Sequence, residues 1–145
     1  MTYDEILSLW EKDSVINISN VGKESLNIPL LHSRYLKIHG FENTVLKKLK
    51  SDYKKLYKIK WEYYHGNLDI QELKRRGWDQ FQLKILKQDV SVYLDGDDDL
   101  SNSMLEIELQ QEKVSTLNEI IKSISQRNFV IKNYIDWQKF ENGVV

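Results

Sequence analysis

Apolar residues recur at helical spacing along most of this chain, and strand-like alternation appears only in short stretches. Thr2 and Glu5 form a capping-box pair ahead of Ile6, Leu7 and Trp10, which predicts a helix over residues 3–12. Residues 13–19 alternate apolar and polar and read as an extended linker. A second helix is expected after Ser19 or Asn20. Pro29 either kinks it or sits in the first turn of a new one, and Gly40 is expected to stop it.

Residues 42–65 give the clearest single helix. With Leu46 at 0° and a step of about 100° per residue, Leu46, Leu49, Tyr53, Leu56, Tyr57, Tyr63 and Tyr64 share one arc. Lys47, Lys48, Lys50, Lys54, Lys55 and Lys58 occupy the opposite arc. Lys60 breaks the pattern by falling among the apolar residues, where its stem can lie along apolar surface with the ammonium reaching outward. Gly66-Asn67 ends the helix.

Beyond it, Ile70–Arg76 reads as a short helix broken at Gly77, and Trp78–Leu86 as helical or irregular. Val90–Leu94 alternates and reads as a short extended piece, followed by an exposed acidic turn in DGDDD. From Leu100 to about Phe140 there is neither proline nor glycine, and Asp99 or Ser101 can cap a long helix. Heptads place Ile107, Val114, Ile121, Asn128 and Ile135 at a, and Gln110, Leu117, Ile124, Ile131 and Gln138 at d. Most of these positions are apolar, so they form a helix-packing seam, and Asn128 is a polar a residue of the kind that fixes register. A break near Arg127–Asn128 fits equally. The fold class is therefore all-α, a single helical protomer over 1–145. Its long C-terminal helix, 100–142, serves either an intramolecular bundle or an oligomer.

Charge changes this picture. The chain has 21 Lys and Arg against 22 Asp and Glu, a net charge of −1, yet the charges are segregated. Between Leu31 and Lys60 nine Lys and Arg face only Glu42 and Asp52, a local charge of +7. Between Asp95 and Glu112 there are seven acids and no base. Such opposition suits one face for a polyanion and another for basic protein surfaces, although two solvated helix faces would look the same.

Composition mainly excludes. There are no cysteines, hence no disulfides, thiolate metal sites or cysteine nucleophiles. No apolar run approaches the about 20 residues of a membrane span, and the acidic first residues do not resemble a secretory signal. Phosphate-binding loops, nucleophile elbows and zinc-protease motifs are missing. His32 and His39 lie beside Arg34 and Lys37, which oppose a bound cation, and the acidic turn has Leu100 where an EF-hand loop needs glycine. No catalytic residue, metal site or cofactor is expected.

What remains is nucleic-acid binding. Single strands are held by cations along the backbone and by aromatic rings on which bases stack. Lys54, Lys58 and Lys60 supply the first, while Tyr57, Trp61, Tyr63 and Tyr64 offer rings. Most of those rings sit in the core arc, but Trp61 borders the lysines. Lys74, Arg75, Arg76 and Trp78 repeat the combination, so residues 28–79 are the candidate single-stranded DNA-binding region.

The stretch from Lys58 to Gly66 has a basic–x–basic–apolar–acidic–Tyr–Tyr–x–Gly pattern. Together with Tyr35-Leu-Lys-Ile-His39 and the closing Ser125–Gly143 segment, it resembles the UvsY family, the recombination mediators of T-even-type bacteriophages. The resemblance spans about residues 30–143 and departs around 67–112. It implies a non-enzymatic protein of DNA recombination and repair. Such a mediator binds single-stranded DNA, contacts a RecA-like recombinase and the single-strand-binding protein, and helps the recombinase load. It implies a hexameric or heptameric ring held by C-terminal helices, here through Leu117, Ile121, Ile124, Asn128, Ile131 and Ile135. It also maps the basic–x–basic pair of DNA contacts onto Lys58 and Lys60. The expected location is the cytoplasm of an infected bacterial host. An oligomeric helical adaptor for proteins only, or an RNA-binding accessory protein, are the alternatives.

Overall fold

A computed structural model describes residues 1–81 and 85–143. The described residues contain helices, turns and loops but no strand. In order the helices are α1 (Tyr3–Asp13), α2 (Val21–Leu26), α3 (Ile28–Tyr64), α4 (Ile70–Arg76), α5 (Val90–Asp95), α6 (Asp98–Ser125) and α7 (Arg127–Glu141). Short 3-10 turns at Ile18–Asn20 and Lys87–Asp89 precede α2 and α5.

The caps explain most boundaries. Thr2 and Glu5 form the expected reciprocal capping box on α1. Asn20 accepts from the Lys23 amide to start α2, and Asp69 accepts from the Glu72 amide to start α4. Gly66 and Gly77 have φ of 73° and 70°, the left-handed backbone that closes α3 and α4 at low cost.

The long helix α3 corrects one expectation. It runs through Gly40, and Pro29 sits in its first turn. An interior glycine costs only about 1 kcal/mol relative to alanine, and the packing residues on both sides of Gly40 outweigh that. Val90–Leu94 is helical instead of extended, because Val90 and Leu94, four residues apart, are both buried on one face. Trp78–Phe81 and Ile85–Leu86 are irregular, and the part of that expectation covering 82–84 lies outside the described residues.

The C-terminal helix is broken at Gln126, one residue before the expected place. Ser125 Oγ donates to the Ile121 carbonyl at 3.1 Å, a back-bond that bends helices. The cap of α6 is neither Asp99 nor Ser101 but Asp97, whose Oδ1 accepts from the Leu100 amide at 2.9 Å.

The chain divides into two compact units, Met1–Asn43 with Glu112–Val145, and Thr44–Gln111. In the first, Ile6, Tyr35, Leu117, Ile120 and Ile124 form the core, flanked by Leu9, Trp10, Ile28, Leu31, Ile38 and Ile121. Trp10 meets Tyr35 edge to face at 5.6 Å. The Tyr35 hydroxyl donates to Asp13 at 3.0 Å, and burial together with that carboxylate pushes the phenol pKa up. Arg127 is buried and donates to the carbonyls of Asp13, Ser14 and Val15 and to Glu24, tying the start of α7 to the connector after α1. In the second unit, Val90, Leu94 and Leu100 pack with Tyr53, Leu56, Tyr64 and Ile85.

Candidate nucleic-acid interface

The C-terminal half of α3 presents Lys47, Lys48, Lys50, Lys54, Lys55 and Lys58 to solvent, as the helical wheel requires. Residues 47–61 of a helix span about 21 Å, so the cations form a ladder along one element. Two rings are exposed beside it: Tyr57, which meets Tyr53 at 6.2 Å, and Trp61 at 44% exposure. Trp61 lies against His65 with ring centroids 3.8 Å apart, and His65 Nδ1 is 2.7 Å from the Trp61 carbonyl. This arrangement offers cations and an aromatic face together, the two requirements for holding a strand by phosphate and base.

Lys60 does not belong to this surface. Its ammonium is turned inward, 3.0 Å from Asp97 Oδ2 and 2.8 Å from Asp99 Oδ2, and the residue is only 5% exposed. It lies 4.0 Å from the centre of the Trp78 ring, a cation–π contact shielded from water. The outward-reaching ammonium expected from the sequence is thus replaced by a buried ion pair. A phosphate contact would require breaking it.

Asp97 is held from three sides. Tyr64 donates its hydroxyl at 2.6 Å, the Leu100 amide bonds the other oxygen, and Lys60 completes the set. Burial opposes the charge, but the bonds from Tyr64, Leu100 and Lys60 outweigh it and hold the carboxyl below the usual range. Burial and the Asp97 bond push the Tyr64 phenol up. The acidic turn is therefore not wholly exposed, since Asp97 is interior.

The other expected rings are spent internally. Tyr63, Tyr64, Trp78, Phe81 and Tyr93 form one cluster with centroid separations of 5.0–5.8 Å. Arg75 and Arg76 both bond Glu72, which brings the Glu72 carboxyl down to about 2. Arg76 also covers Trp78 at 5.3 Å, so Arg75 is the more exposed of the two.

Much of the expected oligomer seam is covered within the protomer. Leu117, Ile124 and Ile131 are buried, and Ile121 is partly buried against the core of the first unit. Asn128 is exposed, and the buried polar residue at this point is Arg127. Ile135 remains partly exposed, and Phe129, Val130, Trp137 and Phe140 lie open on α7.

A family model described as recombination, repair and ssDNA binding protein UvsY matches residues 9–144. The chain belongs to the UvsY family. The fold agrees with crystal structures of the bacteriophage T4 recombination mediator protein UvsY. One superimposes with a TM-score of 0.83 at 18% identity, covering 97% of this chain and 99% of that one. A second, in another lattice, gives 0.81 at 20% identity over 98% of both chains. No curated protein matches the sequence. Within this UvsY-family chain the basic–x–basic pair divides, Lys58 facing solvent and Lys60 facing the interior. The wheel places Lys60 in the apolar arc but not its ammonium in the interior. Nothing in the sequence named its partners, Asp97 and Asp99, which lie 37 and 39 positions further along the chain.

Proposed function

We propose that this protein is a recombination mediator that binds single-stranded DNA along the lysine ladder of α3. It thereby promotes loading of a RecA-like recombinase onto strands covered by single-strand-binding protein. The observation that carries the reading is the exposed row of Lys47, Lys50, Lys54 and Lys58 beside Trp61, in a chain of the UvsY family. Each phosphate contact is weak, so a hexameric or heptameric ring that repeats the ladder would bind far more tightly than one protomer. The open apolar residues Phe129, Val130, Trp137 and Phe140 of α7 support self-association through that face.

The action is physical: strands bound across several ladders are bent or stretched into a form that favours the recombinase over the single-strand-binding protein. No bond is made or broken by the protein. Its place of action is the cytoplasm of an infected bacterial host, and no helix among the described residues is long and apolar enough to cross a membrane. The test is a titration of labelled single-stranded DNA and RNA of equal length, followed by recombinase filament formation on strands precoated with single-strand-binding protein. Salt-sensitive binding to DNA and faster filament formation are expected. Absence of strand binding at low salt would reduce the chain to a protein adaptor.

A further inference from the structure

Within the second unit, α3, α5 and α6 leave a groove of about 390 Å³ that shares only Tyr57 with the strand-binding surface. Tyr53 and Tyr57 line one side, Leu94 the base, and Met104 and Leu105 the other side, with exposed Asp95 and Glu108 also lining it. Leu105 is 52% exposed, and Leu109, one turn further along α6, is 63% exposed. Leucines four residues apart on one helix face form an apolar ridge, and leaving such a ridge in water is unfavourable.

We propose that this groove docks a basic amphipathic helix of another protein. Tyr53, Tyr57, Met104 and Leu105 offer apolar surface to the i, i+3, i+4 and i+7 anchors of such a helix. The charge fixes the sign of the partner: of the six acids in residues 95–111, Asp97 and Asp99 are paired with Lys60, while Asp95, Asp98, Glu106 and Glu108 are exposed with no base among them, so their field draws in lysine and arginine and repels phosphate. A nucleic-acid strand is disfavoured there by Asp95 and Glu108.

The probe is a fluorescein-labelled Leu/Lys peptide of about four helical turns, patterned for one apolar face. A scrambled peptide of the same composition and a Leu/Glu analogue serve as controls, and binding is read by anisotropy. The patterned Leu/Lys peptide should bind the full-length protein. Its affinity should fall at least about tenfold with Leu105→Ser/Leu109→Ser and with Asp95→Asn/Glu108→Gln. All four residues are exposed, so folding is retained, as circular dichroism will verify. Equal binding by the scrambled peptide, or wild-type affinity in both variants, overturns the proposal. So does a smaller sedimentation coefficient for Leu105→Ser/Leu109→Ser, which would assign the groove to a second copy.

Discussion

Lys60 Nζ lies 3.0 Å from Asp97 Oδ2, and both side chains are almost wholly removed from water. Such a pair couples the end of α3 to the start of α6 within one unit, because Asp97 also caps α6. Removing one partner of a buried pair leaves the other charged and unsolvated, at a cost of about 3–5 kcal/mol. Lys60→Ala is therefore expected to lower the melting temperature sharply. The salt dependence of strand binding by the surviving folded protein should stay as it was. Thermal melts paired with binding at several salt concentrations check both halves. Lys60→Met, which keeps the stem against Trp78, should lose less stability.

Acid should act through the same pair. The Asp97 carboxyl titrates below its unfolded value, so its contribution is present above the ordinary aspartate range near pH 4. That contribution is lost as pH falls through its lowered folded value. The raised phenol of Tyr64 works oppositely, contributing below about pH 10 and losing that contribution as pH rises. Asp97→Asn is expected to start less stable than wild type and to lose less stability between about pH 5 and 3. Chemical denaturation at a series of pH values measures this directly.

Arg127 is expected to be irreplaceable by lysine. Its planar fork reaches three carbonyls and Glu24 at once, and an ammonium cannot span that set. Arg127→Lys should destabilise by about 1–3 kcal/mol through unpaired buried carbonyls. Equilibrium unfolding is the check, and a neutral result would show that the connector after α1 finds other donors.

Trp61 separates stacking from packing. Because it is 44% exposed, Trp61→Ala should keep nearly all thermal stability. A base stacked on it would contribute about 1–3 kcal/mol to strand affinity, a loss readable by anisotropy. Single-tryptophan variants retaining Trp61 should change fluorescence when a strand binds.

Much of the fold was legible because helix signals are local. The capping box at Thr2, the glycines at 66 and 77, and the apolar arc of α3 all mark features that the backbone adopts for local reasons. Gly40 misled, because a mid-helix glycine is only a small penalty against packing on both sides. The heptad pattern of α6 is legible as a packing seam. Periodicity alone does not say whether the covering surface belongs to the same chain, and here Ile6 and Tyr35 cover Leu117 and Ile124. The lysine ladder and the outward Trp61 followed from the wheel. The wheel places Lys60 in the apolar arc, but its partners come from a turn far along the chain, which only tertiary packing brings near.

The central claim is that the α3 ladder holds the strand through phosphate contacts, and the salt slope of binding by Lys54→Ala/Lys58→Ala tests it most directly. Both lysines are exposed, so fold and oligomeric size should be unchanged. The slope of log affinity against log salt should become shallower by about 0.7 per lost contact for single-stranded DNA, equally for all sequences. A slope and affinity identical to wild type would contradict the account and remove the ladder from the binding surface.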